Sequence, residues 1–127
     1  MDNLLSSFGV VSYISEGILI VQLQSDLYTE VIEALRTDIV FKLHSTPQKI
    51  KGLIIDVSKI NLLDCMDMAV LEKMLQVATA LKIPAILSGV HRHIVMTLSD
   101  MGYNIKNITS TATIEQATKA LQHDTTH

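Results

Sequence analysis

The chain has 127 residues, of which 48% are hydrophobic and 18% charged, with a formal net charge of −3. That length suits one domain with one core, the apolar fraction excludes global disorder, and the lack of a basic run argues against nucleic acid. A single cysteine, Cys65, excludes an internal disulfide, no apolar run reaches the roughly 18 residues of a membrane helix, and the start MDNLLSSFG lacks the basic and apolar regions of a secretion signal.

These features predict a cytoplasmic protein with one domain over residues 9–122, and loose ends at 1–8 and 123–127. Residues 10–14 and 18–23 are rich in β-branched side chains around Ser15-Glu16-Gly17, which reads as a hairpin. Residues 26–44 read as a helix, with Leu27, Val31, Ile32, Leu35, Ile39 and Leu43 on one stripe, Ser25 or Asp26 as the cap, and Pro47 as the stop. The run at 51–57, KGLIIDV, has the continuous apolarity of a buried parallel strand. A second helix follows at 64–82, then a strand at 85–88, with Pro84 at its start where a missing N–H is tolerable. A third helix at 91–101 ends at Gly102, a strand is expected at 105–108, and a last helix at 113–122. A hairpin followed by alternating helices and strands predicts an α/β fold, a mixed β-sheet packed with about four helices.

The stretch from Asp56 to Asp67, DVSKINLLDCMD, joins a strand to a helix, at the end of α/β sheets where ligands and partners gather. Asp64 is placed to cap the helix, and Asp67 can answer as a capping box with a shorter acid. Both charges suit the positive helix end.

Here the sequence resembles the STAS domain, the module of anti-sigma-factor antagonists. The matching pieces are Ile54-Ile55-Asp56-Val57-Ser58, Leu62-Leu63-Asp64-Cys65, Ile86-Leu87-Ser88-Gly89-Val90 and Met96-Thr97-Leu98-Ser99-Asp100-Met101-Gly102. Their order and spacing are most like the RsbS and RsbR members, which build the stressosome. The resemblance implies a STAS fold without catalysis or cofactor. It implies RsbR-like STAS proteins and an RsbT-like Ser/Thr kinase as partners, in a homo- or hetero-oligomer. An alternative within the family is an antagonist of the SpoIIAA kind that binds an anti-sigma kinase directly.

The resemblance also assigns positions. Family members are switched by phosphorylation of the Ser or Thr after the helix-start Asp, where this chain has Cys65. Thr97 matches a second phosphorylation position of the stressosome proteins. Arg92 stands where the family often has Pro, so the third helix is expected to begin differently. The contact surface is expected at Asp56, Ser58, Asp64, Cys65, Met66, Asp67 and Val70.

Elementary electrostatics says why a phosphoryl group would matter at this corner. It adds roughly −1.5 to −2 charge. Against one carboxylate at about 6 Å that is roughly 1.4 kcal/mol of repulsion in water and about 5 kcal/mol at an effective dielectric near 20. The helix dipole returns only about 0.3–1 kcal/mol. A thiol takes no phosphate from a Ser/Thr kinase, so the surface is expected to stay in its binding state at Cys65.

Other chemistries have less support. The helix end favours a thiolate at Cys65, the adjacent carboxylates oppose it, and no His lies close in sequence to act as a base, so a Cys65-dependent enzyme or redox switch is the weaker alternative. His91 and His93, two apart, would not share a helix face, and no Cys or nearby acid completes a metal set with them. Along the second helix, Met68, Leu71, Met74, Leu75, Ala78 and Leu81 form the expected core stripe. Met66, Ala69, Val70, Val77 and Ala80 form another, open to a partner or to neighbouring helices.

Overall fold

A computed structural model describes residues 9–24, 29–45, 49–105 and 108–124. Of the expected loose ends at 1–8 and 123–127, His123 and Asp124 belong instead to the last helix; the rest, with the caps Ser25 and Asp26, Leu27 and the stop at Pro47, lie outside the described residues. The elements are β1 (Val10–Ser15), β2 (Ile18–Leu23), α1 (Thr29–Ser45), β3 (Gly52–Asp56), α2 (Cys65–Ala80), β4 (Ala85–Ser88), α3 (Arg92–Asp100), β5 (Ser110–Thr111) and α4 (Ile114–Asp124).

The strands lie side by side in sequence order, β1-β2-β3-β4-β5. β1 runs antiparallel to β2, and every later pairing is parallel. The hairpin closes through Glu16 and Gly17, both at positive φ (52° and 83°), as a two-residue turn matched to strand twist requires. Strand alternation then divides the core into two layers. Leu19, Val21, Leu23, Leu53, Ile55, Val57 and Leu87 face α1, α2 and α3, meeting Val31, Leu35, Ile39, Met68, Leu71, Met74, Ile94 and Leu98. Ile18, Ile20, Ile54 and Ile86 point the other way, onto Ala117 and Leu121 of α4. The approach of α4 is close, since a Cβ on Gly52 would stand 2.8 Å from a Leu121 methyl.

Two expectations are corrected. The last strand is Ser110–Thr111, not 105–108. The Ile108 N–H turns back to the Ile105 carbonyl (3.0 Å), which makes a turn that buries Ile108 instead of an extended run. Leu81 is not in the core stripe. It is the C-cap of α2 and is exposed, because the helix has ended one residue earlier. Among the described residues no helix is long and apolar enough to cross a membrane.

Candidate functional site

The carboxyl ends of β3 and β4 meet the start of α2 at one corner. Asp56 and Ser88 are register partners there. Asp56 is 4% exposed, so it does not belong to the contact surface expected from the sequence. Its side chain faces inward because three donors hold it: Ser58 Oγ donates to Oδ2 (2.6 Å), as does the Ser58 N–H (3.3 Å), and Ser88 Oγ donates to Oδ1 (2.7 Å). The Val57 N–H adds a bond to the Ser88 carbonyl (2.9 Å). Ser58, half-buried, is thereby fixed in the turn that leaves the strand.

Gly89 is part of the same joint. Its φ is +83°, and a Cβ there would lie 2.6 Å from Ser58 Cβ and 2.8 Å from the Ser58 backbone. Only glycine lets the two loops approach this closely.

The chain then runs without regular structure to Asp64, which caps α2 in extended conformation. The Asp67 N–H donates to Asp64 Oδ1 (2.7 Å), and the Asp64 N–H donates to Asp67 Oδ2 (3.2 Å), which completes a capping box made with two aspartates. Leu63 is buried while Leu62 and Met66 are 80% and 79% exposed, so two large apolar side chains flank the cap in solvent. Cys65 and Val70 are half-buried and pack against the main core, so less of each is open to a partner than of Met66. Of the second α2 stripe, Met66 and Ala80 are exposed, while Ala69, Val70 and Val77 are half-buried.

Tyr103, on the loop after α3, reaches back to α2. Its hydroxyl donates to Glu72 Oε1 (2.6 Å). Burial first, then the bond to Glu72 and the charge of its carboxylate, push the Tyr103 hydroxyl up to about 12.

The third helix approaches from the other side. His91 is its N-cap, in extended conformation, and its Nε2 lies 2.9 Å from the Ser58 carbonyl. His93 Nε2 lies 3.4 Å from the Asn61 carbonyl. The two rings stack, with centroids 5.5 Å apart and planes 13° from parallel. Two residues apart inside one helix, they would sit on different faces. Only His93 is inside, and the extended cap turns His91 onto it. Thr97 is exposed one turn along, its hydroxyl donating to the His93 carbonyl (2.8 Å). The structure thus joins Asp56, Ser58, Asp64, Cys65, Met66 and Asp67 in one corner and sets Thr97 on the helix docked against it. Ser88, His91 and His93 complete the corner and were not foreseen. Pairing IID with ILS in register would have signalled Ser88.

The family model of the STAS domain matches residues 10–117, and the chain belongs to that family. Among solved structures it is similar to Moorella thermoacetica RsbS, with 18% identity and a TM-score of 0.78 over 93% of this chain and 98% of that one. It is also similar to a chain from the molecular architecture of the stressosome, described as a signal integration and transduction hub (18% identity, TM-score 0.71, 89% and 96% covered). A third likeness is to the anti-sigma factor antagonist SpoIIAA in its unphosphorylated form (12% identity, TM-score 0.66, 89% and 97% covered). No curated protein sequence matches the chain.

Proposed function

We propose that this protein is a non-catalytic STAS scaffold and switch protein of the RsbS kind, one domain over residues 9–122. It co-assembles with RsbR-like STAS proteins and holds an RsbT-like Ser/Thr kinase until a stress signal releases it. The observation that carries this reading is the corner at the start of α2. Leu62 and Met66 stand in solvent on a helix end whose backbone is fixed by the Asp64–Asp67 box. Such a surface offers an apolar anchor beside the two capping aspartates, which suits a protein partner better than a small substrate.

Asp64, Cys65, Met66 and Asp67 frame the contact, with Ser58 and Val70 at its edge and Asp56 supporting from within. Cys65 closes the family's usual phosphorylation position, and Thr97 is the residue left to carry phosphate. The likeness to RsbS and to the stressosome chain supports the assembly part of the reading.

Size-exclusion chromatography of the chain mixed with an RsbR-type protein tests the assembly. A large shared peak is expected, and separate elution as small species refutes it. Incubation with an RsbT-type kinase, followed by phosphate mapping, is expected to find Thr97 and not Cys65.

A further inference from the structure

Leu62 lies in a segment of five residues, 60–64, that has no regular secondary structure. Its neighbours on both sides are nevertheless tied down. Leu63 is buried and Asp64 is locked into the capping box. On the upstream side Ile60 is buried in the core with its N–H on the Val57 carbonyl, and the two histidines at the start of α3 add ties through the carbonyls of Ser58 and Asn61. A carbonyl oxygen only accepts, so each imidazole must carry its proton on Nε2 to make these bonds. The stacked rings hinder each other from turning. The shorter bond, from His91, anchors a residue already fixed by Asp56 and by the close approach of Gly89. The longer one, from His93, holds the residue next to Leu62.

We propose that His91 and His93 are positioning residues, a paired latch that ties the start of α3 to the strand-to-helix corner and so aims Leu62 at the partner. The latch is a property of the free chain, and only its use in binding rests on the partner reading above. With it closed, binding a partner orders little that was not already ordered. With it open, Asn61 and Leu62 gain freedom between the buried anchors Ile60 and Leu63. α3 also carries Thr97, whose hydroxyl bonds the carbonyl of His93, so events at Thr97 are one turn from the latch.

Nuclear magnetic resonance on the free protein tests the latch directly. Long-range proton–nitrogen correlation is expected to show both rings protonated at Nε2. In His91→Ala, His93→Ala and the double variant, backbone order parameters at Asn61 and Leu62 should fall from the rigid value of about 0.85 to below about 0.6. His93→Gln, whose amide can still donate to a carbonyl, should restore most of the order, which a merely space-filling role would not predict. Unchanged order at Leu62 in the double variant, or protons on Nδ1 alone, overturns the latch. Should the double variant not fold, the two single variants decide.

A second arm measures affinity for an RsbT-type kinase, expected to fall about tenfold in His93→Ala and to recover in His93→Gln. A loosened loop with unchanged affinity overturns the aiming role. If the unaltered chain binds no such kinase, the partner reading fails, and the order parameters still decide the latch.

Discussion

Asp56 shows why a residue's type and its chemistry must be judged in place. An acid at the end of a strand in a strand-to-helix corner invites a surface reading, yet its oxygens serve Ser58 and Ser88 inside the joint. Removing it strands two hydroxyls that have little or no water to turn to. Asp56→Ala is therefore expected to cost about 2–4 kcal/mol, measured by urea unfolding, with Asp56→Asn costing less because one oxygen remains. Cys65→Ser carries the opposite lesson, since the fold should be indifferent and the signalling chemistry should not. The variant is expected to accept phosphate from the cognate kinase and then to bind its partner more weakly. Phosphate uptake with unchanged binding would sink the repulsion argument. Tyr103 gives a pH signature. A group raised in the folded state stabilises below its unfolded value and loses that contribution as pH climbs through the folded one. Stability should thus fall between about pH 10 and 12 by more in the unaltered chain than in Tyr103→Phe, as followed by unfolding at stepped pH.

At the scale of elements, local signals were legible and tertiary ones were not. The capping box of α2 could be read from Asp-x-x-Asp because both partners lie within one turn. Five of the six residues assigned to its core stripe are buried for the same reason. Its end lies two residues before the expected one because no glycine marks it. Lys82 takes the left-handed conformation instead (φ 63°), with the Ile83 N–H closing onto the Ala78 carbonyl at 2.9 Å. α3 ends by the same geometry, with Gly102 in that position and the Tyr103 N–H on the Leu98 carbonyl. Lys82→Gly should relieve the strain and raise stability by about 1 kcal/mol in thermal unfolding; a loss would show that the side chain contributes more than its backbone costs. The fifth strand escaped because apolarity reports burial, not pairing. Ile105 and Ile108 turn inward, while the polar Ser110 and Thr111 pair with β4. The histidine pair escaped because its geometry depends on a cap that bends the chain.

At the scale of the molecule, the alternation of helix and strand was enough to give the class of fold, and the resemblance gave the family. What neither could give is the partner, because specificity lies in the complementarity between this corner and a second chain. The arrangement of layers could not be foreseen either, since among the described helices three share one face of the sheet and α4 serves the other. Trimming Leu121 to Ala should cost about 2–5 kcal/mol, because it packs into the space that Gly52 leaves on that face. A smaller loss in calorimetry would mean that α4 collapses onto the gap.

The position of α4 also orders events in time. It is the last described element in the chain, and the isoleucines it covers, at 18, 20, 54 and 86, all emerge from the ribosome before it. Until α4 docks, those isoleucines lack the cover that it supplies, whatever the state of the opposite face. During that interval the nascent protein offers an oily plate to any chaperone, or to another unfinished copy, until the final turn of helix arrives to cover it.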